Sequence, residues 1–258
     1  MKAKFLNYEL ILNPRWIMLR HHDTACPREW VWYRDTAQRE RIEGYLCLQQ
    51  SRPELFTSAA ALPINANRLA MLEFEARTGK HIGLVHNNTP YQYILSDLID
   101  GKKQFAYIRV VPVSPEGGTV TLPRWTDADG NEFFGVLEIY RHALRTTVTE
   151  LPRGHLEPGL TPEENAEKEL KEELGVRGEN ISSIQEIGSC HPDSGLTSAL
   201  VRYFIVDLQG PRPEAVTGHE GIRSGRWLTR QELTAMLRNG QITDGMTCNA
   251  FLHFLLHS

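Results

Sequence analysis

Three glutamates in the second half of the chain have the spacing of a cation site. Glu169, Glu172 and Glu173 stand at i, i+3 and i+4, so a helix would place their carboxylates on one face. Like charges at these spacings weaken an isolated helix by about 0.2–0.5 kcal/mol per pair. A hard divalent cation such as Mg²⁺ or Mn²⁺ would reverse that effect, because it takes oxygen ligands. The alternative is a solvated, charged helix face.

The segment that carries these glutamates has clear helix signals. Thr161, Pro162 and Glu164 supply an N-cap hydroxyl, a proline at the first helical position and a glutamate that reaches back to the cap. Gly175 can adopt the left-handed conformation that ends many helices. The sequence therefore predicts a helix from Pro162 to about Leu174.

The stretch around this helix resembles the box of the Nudix hydrolases, written G-x5-E-x7-R-E-U-x-E-E-x-G-U with U an aliphatic residue. Every spacing is kept, and the matching positions are Gly154, Glu169, Leu170, Glu172, Glu173, Gly175 and Val176. The resemblance implies a Mg²⁺ site, with Mn²⁺ as an alternative ion, held by the Gly154 carbonyl and by Glu169, Glu172 and Glu173. It also implies a catalytic role for Glu173.

Two positions depart from that box. Leu160 stands where the family has glutamate, and Lys168 stands where it has arginine. In the family these two residues pair and brace the loop against the helix, so the departures change the brace and leave the metal ligands in place. We expect the stem of Lys168 to lie along Leu160 while its ammonium reaches solvent or another glutamate. Metal binding should then be weaker, with activity retained.

Segments outside the box resemble the ADP-ribose pyrophosphatases of the same family. The stretch "YRHALRTTVTELPRG" resembles their approach to the box and makes Arg141 a candidate phosphate contact, although a solvated arginine at a strand end fits as well. The stretch "HPDSGLTSA" takes the place of a short turn in that subfamily, so Pro192, Ser194 and Gly195 are candidate substrate-binding residues. The tail after Gly225 resembles the ending of these enzymes.

The resemblance implies hydrolysis of ADP-ribose or a related nucleoside diphosphate sugar to a nucleoside monophosphate and a sugar phosphate. Such a reaction needs neutralised phosphate charge and a base for the attacking water. In this subfamily the base often comes from an acidic loop after the last long strand, here "VTGHEGI". Glu220 is therefore the candidate catalytic base and His219 the second choice, and a solvated loop glutamate is the alternative interpretation.

The composition is that of an ordinary soluble globular protein, with 41% apolar and 23% charged residues. A net charge of −4, from 28 basic and 32 acidic side chains, gives no reason to expect a nucleic-acid partner. No apolar run reaches membrane-spanning length and the N-terminus does not resemble a secretory signal, so we expect a cytoplasmic protein with no membrane partner. The family resemblance implies a homodimer.

The cysteines are widely scattered and form no C-x-x-C pair, so free thiols are expected at Cys26, Cys47, Cys190 and Cys248. A zinc site could be assembled from His21, His22, Cys26 and Cys47. These residues lack the spacing of zinc ligand pairs, and the zinc hypothesis is set aside.

A polar, turn-rich stretch from Asp100 to Lys103 divides the chain into two parts. We predict an N-terminal region of unassigned role over residues 1–103 and a Nudix hydrolase domain over residues 104–258. In the first part, alternation predicts a strand over Trp30–Arg34, and a helix closed by Gly79 should follow. Its tryptophans fit a core, or else one aromatic side chain stacks on a nucleotide base.

In the second part, strands are predicted over residues 105–113, 133–144 and 198–208, with a turn at "TDADGN". A capped helix should open at Thr229 and stop at Asn239-Gly240, and a final helix should include residues 250–256. Mixed strands and helices favour the α/β (α+β) class. The resemblance implies an α/β/α sandwich with a mixed sheet, preceded by a smaller N-terminal α+β region.

Two functions other than hydrolysis fit the same features. A non-catalytic ligand sensor on a Nudix scaffold would explain Leu160 and Lys168, and an interaction module could use the acidic helix as a docking surface. Retention of all three ligand glutamates favours the hydrolase.

Overall fold

The computed structural model describes residues 1–22, 28–57, 62–114, 116–214, 217 and 221–257. The chain forms two compact units. The first unit comprises Met1–Asn88 and Tyr93–Arg109, and the second comprises Thr89–Gln92 and Val110–Ser258. In the described residues, no helix is both long enough and apolar enough to span a membrane.

The first unit begins with a four-stranded antiparallel sheet in the order β1 (Lys2–Phe5), β2 (Tyr8–Leu12), β3 (Trp16–His21) and β4 (Arg28–Tyr33). Two helices follow, α1 (Thr36–Ser51) and α2 (Arg68–Thr78). A second sheet has the order β5 (Gly83–Asn88), β6 (Gln92–Ile99) and β7 (Phe105–Pro112). Gly79 ends α2 with a φ of 71°, which confirms the predicted helix and its stop.

One face of the four-stranded sheet is apolar and open. Alternate residues of a strand point to opposite faces, so the register that buries Trp16 leaves Trp30 and Trp32 exposed. A pocket of about 640 Å³ on this face is lined by Ala3, Phe5, Tyr8, Leu10, Leu19, Trp30 and Trp32. The core interpretation is therefore correct for Trp16 and wrong for Trp30 and Trp32.

The second unit is built on one mixed sheet. Its strands are β8 (Glu116–Thr126), β9 (Glu132–Arg141), β10 (Thr146–Glu150), β11 (Arg153–His155), β12 (Ile181–Cys190), β13 (Leu200–Leu208) and β14 (Ile222–Thr229). The path runs β10-β9-β8-β13-β12, with β11 paired to β8 and β14 paired to β9. The pair β8–β13 is parallel and the other pairs are antiparallel.

Three helices cover the two faces of this sheet: α3 (Pro162–Leu174), α4 (Arg230–Arg238) and α5 (Gly245–His257). Along β13, Phe204 and Val206 pack with α3, whereas Tyr203 and Ile205 pack with α4 and α5. This alternation is what a strand buried on both faces requires. The α/β/α sandwich with a mixed sheet is confirmed.

Local signals located the helices of this unit well. Thr161 and Glu164 form a capping box at the start of α3, and Thr229 and Glu232 form one at the start of α4. Gly175 ends α3 with a φ of 63°. The predicted helix from Pro162 to Leu174 is thus confirmed at both ends.

The central strand β8 was not predicted, because Gly117, Gly118 and Pro123 are typical of turns and breakers. Its glycines are explained by close neighbours. A Cβ on Gly118 would lie 2.3 Å from the Gly154 carbonyl oxygen, and one on Gly117 would lie 2.5 Å from the Ala199 Cβ. The glycines therefore permit the approach of β11 and of the residues before β13.

The described cysteines Cys47, Cys190 and Cys248 are free thiols, as predicted. Cys26, which belongs to both the thiol prediction and the rejected zinc hypothesis, lies outside the described residues.

Candidate active site

The acidic helix α3 buries two of its three candidate ligands. Its inward positions are Asn165, Ala166, Glu169, Leu170, Glu173 and Leu174. Glu169 is 7% exposed and Glu173 is 2% exposed, whereas Glu172 lies on the surface. A helix that places two carboxylates in its buried stripe concentrates negative charge where water is scarce.

Strand β11 lies directly against these two carboxylates. A Cβ on Gly154 would lie 2.1 Å from the Glu169 Oε1 atom, so only glycine leaves room for the carboxylate. The backbone N–H of Arg153 donates a hydrogen bond of 2.9 Å to Glu173 Oε2. The structure thus brings Gly154, Glu169 and Glu173 together, as the sequence predicts.

Asn165 fixes the loop that connects β11 to α3. Its Nδ2 donates to the Thr119 hydroxyl over 2.9 Å, and its Oδ1 accepts from the Glu157 backbone N–H over 3.2 Å. Sequence analysis missed Asn165. A signal was present, because asparagine is unfavourable within a helix unless its side chain has a specific partner.

Lys168 contacts three carboxylates around the box. Its Nζ lies 2.6 Å from Glu172 Oε2, 3.3 Å from Glu157 Oε1 and 3.7 Å from Glu169 Oε1. Burial lowers the pKa of the ammonium, but the bonds to Glu172 and Glu157 and the charge of Glu169 outweigh burial and raise it. The expectation that Lys168 would reach another glutamate is met, and the partners belong to the box itself.

Arg141, the candidate phosphate contact, holds a buried carboxylate. Its guanidinium donates to Glu150 at 2.6 and 3.1 Å, and Glu150 is 1% exposed. Arg153 reaches the same carboxylate at 2.7 Å and also Asp244 at 3.0 Å. Bidentate pairing of this kind fixes both partners. Arg141 and Arg153 thus hold Glu150 together, and the phosphate contact of Arg141 stays a prediction.

Asp244 and Thr247 are two further framework residues that sequence analysis missed. Asp244 accepts hydrogen bonds from the Thr247 backbone N–H and hydroxyl, over 2.8 and 2.7 Å. Thr247 in turn accepts from the backbone N–H of Leu151 over 3.0 Å. An aspartate three residues before a threonine at a helix start is a capping signal.

The predicted substrate turn is well defined. It contains Pro192, Ser194 and Gly195 after β12, and Asp193 Oδ1 accepts a hydrogen bond from the Gly195 backbone N–H over 2.9 Å. The backbone N–H of Val110 donates to the Leu196 carbonyl over 2.8 Å, which attaches the turn to the end of β7. All three candidate residues stay substrate-binding predictions.

The candidate base Glu220 and the second choice His219 lie outside the described residues. The structure describes Thr217 before these two residues and Gly221 after them, and Gly221 lies just before β14. The role of a base in this segment stays a prediction.

The donor set suits a hard divalent cation in chemical type. Glu169 and Glu173 offer carboxylate oxygens and Gly154 offers a carbonyl oxygen. The absence of a Cβ at position 154 leaves room for the Glu169 carboxylate. No three His, Cys, Asp or Glu side chains converge as a metal centre within the described ranges. Glu172, the third candidate ligand, pairs with the Lys168 ammonium at 2.6 Å.

Comparison with known proteins extends these observations. The family model of the NUDIX domain matches residues 110–247. A curated relative, "Putative nudix hydrolase 2" of Caenorhabditis elegans, is 28% identical over 114 residues, which cover 44% of this chain and 50% of that protein. The chain thus spans about half the length of this relative.

A solved structure gives a likeness of fold. The "Crystal structure of ADP compounds hydrolase" aligns with a TM-score of 0.50 at 12% identity, over 66% of this chain and 88% of that chain. Identity this low shows the shared fold and nothing more.

Proposed function

The chain belongs to the Nudix family, and on that premise we propose that it hydrolyses the diphosphate bond of a nucleoside diphosphate derivative. The proposed substrate is ADP-ribose or a related nucleoside diphosphate sugar, and the products are a nucleoside monophosphate and a sugar phosphate. The structural neighbour is named an ADP compounds hydrolase, and the adenine nucleotide is part of the proposal for this chain.

One observation carries the proposal. Glu169 and Glu173 are buried four residues apart on one helix, and both contact the backbone of β11 at Gly154 and Arg153. Burial of carboxylates is costly unless positive charge offsets it. A pair held this way is suited to a divalent cation that also binds substrate phosphates.

Members of this family generally use divalent metal ions, and we propose Mg²⁺ here, with Mn²⁺ as the alternative. Glu169, Glu173 and the Gly154 carbonyl would hold the ion, joined by Glu172. When bound, the cation supplies the positive charge that neutralises the diphosphate. Arg153 orients Glu173 through its backbone N–H, while the guanidinium stays on Glu150 and Asp244.

Two roles depend on loops around the site. We propose that Glu220, with His219 as the second choice, accepts the proton of the attacking water. Pro192, Ser194 and Gly195 would contact the substrate from the turn after β12.

Replacement of Glu220 by glutamine should lower kcat by about 100- to 10,000-fold with little change in KM. Unchanged kcat would move the role to His219 or to a box glutamate.

The decisive experiment is a product analysis. The full chain is incubated with Mg²⁺ and, separately, with ADP-ribose, ADP-glucose, GDP-mannose, NADH and diadenosine polyphosphates, and the products are resolved by chromatography. We expect AMP and ribose 5-phosphate from ADP-ribose. A chain that binds a nucleotide sugar but hydrolyses none of these compounds, with Mg²⁺ or Mn²⁺, would be a sensor instead.

The homodimer and the cytoplasmic location stay predictions. Sedimentation velocity tests whether the chain forms a homodimer.

A further inference from the structure

The Lys168 ammonium lies beside candidate ligands on α3. Its side chain is 27% exposed, and its Nζ lies within 4 Å of Glu157, Glu169 and Glu172. Two of these carboxylates belong to the box positions that would hold a metal. The ammonium therefore lies among the negative charges that a divalent cation would otherwise neutralise.

The sequence explains why the ammonium lies there. Leu160, at the position where the box has glutamate, offers no charged acceptor. Glu172, one helical turn further on, lies on the same side of α3 as Lys168, and pairs at this spacing are neighbours on a helix surface. The loop residue Glu157 adds a third carboxylate. A lysine that lacks its loop partner thus turns to the box carboxylates.

We infer that the Lys168 ammonium is a built-in counter-ion of the box carboxylates. A divalent cation must displace this ammonium from Glu172 before Glu172 can become a ligand. This inference rests on the proposed function, because it concerns the same metal site. It makes metal occupancy depend on a competition within the protein. We therefore expect wild-type metal binding to be weakened by this competition, without any need for a looser loop.

The arrangement of charges predicts the direction in which the affinity for a divalent cation changes when Lys168 is replaced. Removal of the ammonium leaves the three carboxylates without their common counter-ion, so their attraction for a divalent cation rises. One unit of charge a few ångströms from a cation changes its binding strongly, even at an effective dielectric constant of about 20. An arginine at position 168 would keep the positive charge and therefore keep the competition.

The test measures metal binding directly, with Mn²⁺ alone as the probe. Free Mn²⁺ is counted by electron paramagnetic resonance during titration of the full chain. The variants are Lys168→Met, Lys168→Gln, Lys168→Arg and the matched control Lys171→Met, which removes the same charge from an exposed position of α3. Lys168→Gln, whose amide can still donate to Glu172, replaces Lys168→Met if the methionine variant does not fold.

We expect Lys168→Met and Lys168→Gln to bind Mn²⁺ at least about tenfold more tightly than wild type. Lys168→Arg and Lys171→Met should stay within about twofold of wild type. The melting temperature should also rise more on Mn²⁺ addition in Lys168→Met than in wild type.

Two different failures can be told apart. If wild type binds Mn²⁺ and Lys168→Met binds it no more tightly, or if Lys171→Met gains as much, the inference is wrong and the proposed metal site survives. If no variant and no wild-type protein binds Mn²⁺, the metal-dependent function fails and the inference fails with it.

Discussion

The backbone N–H of Arg153 donates a 2.9 Å hydrogen bond to the Glu173 carboxylate, while the Arg153 guanidinium holds Glu150 and Asp244. One residue therefore connects the acidic helix α3 with the end of β10 and with the start of α5. The position of the Glu173 carboxylate depends on this framework. Changes in the framework and changes in the candidate ligands should accordingly have separable effects.

Loss of charge at the candidate ligands should remove activity and keep the fold. We expect Glu173→Gln and Glu172→Gln each to lower kcat/KM by at least about 100-fold, because an amide keeps the shape but loses the charge that binds a cation. In Glu173→Gln the amide oxygen can still accept the hydrogen bond from Arg153, so melting temperatures should change little. Steady-state kinetics measures the effect, with the exposed Glu163→Gln as the control. Wild-type rates in both variants would refute the metal-site assignment.

A methyl group at position 154 should disturb the site from strand β11, which lies against the α3 carboxylates. Gly154→Ala places a Cβ 2.1 Å from Glu169 Oε1, so the carboxylate or β11 must move. We expect a loss of about 1–3 kcal/mol in the free energy of unfolding and a loss of most activity. Gly245→Ala is the control, because a Cβ there meets nothing within 4 Å. Equal urea midpoints for the two variants would contradict the close contact.

Arg141 should matter for stability through Glu150. We expect Arg141→Gln to lower the free energy of unfolding by about 1–3 kcal/mol, because the buried Glu150 carboxylate then loses its bidentate partner, although it keeps the contact with Arg153. Arg141→Lys should cost less. Urea denaturation measures stability, and the KM of the folded variant tests the phosphate contact. An unchanged KM would remove Arg141 from the substrate-binding residues, and the exposed Arg177→Gln serves as the control.

The stability of the second unit should depend on pH through Asp207. Burial raises the pKa of this carboxyl, but hydrogen bonds from Arg124 and Ser183 outweigh burial and hold it below its ordinary value. A lowered folded pKa stabilises the protein above the unfolded pKa of about 4, and this contribution disappears as the pH falls through the folded pKa.

Asp207→Asn should therefore cost about 1 kcal/mol at neutral pH, a figure reduced for solvent screening of this partly exposed pair. The difference from wild type should shrink as the pH falls below the unfolded pKa of about 4. Urea unfolding at several pH values measures it, with the exposed Asp129→Asn as the control. A difference that is constant with pH would contradict the pairing.

The sequence was most informative where a signal is local. The capping boxes at Thr161 and Thr229 and the left-handed glycines at Gly79 and Gly175 all lie within a few residues of the helix ends that they set. The spacing of Gly154 and the box glutamates predicts the candidate site for a different reason. The sequence fragment resembles a family whose residues have known roles.

The features that sequence analysis missed depend on contacts between distant segments. Gly117 and Gly118 resemble a turn until Ala199 and Gly154 are placed beside them. The bidentate bonds from Arg141 to the buried Glu150 could not be foreseen either, because the two residues lie on neighbouring strands and nine positions apart. The partners of Lys168 could be expected only as "another glutamate", because Glu157 comes within reach only when the loop folds back onto α3.

The parallel pair at the centre of the sheet joins two strands that are far apart in the sequence. Arg124 on β8 and Asp207 on β13 are partners although they lie 83 positions apart in the sequence. By contrast, β9 pairs with only the last three residues of β8. During synthesis, Val120 and Leu122 lack their main neighbour until β13 has left the ribosome. Long-range strand pairing of this kind closes slowly and exposes apolar strands in the meantime. We therefore expect slow refolding, and aggregation on dilution from denaturant, as kinetic consequences of this topology.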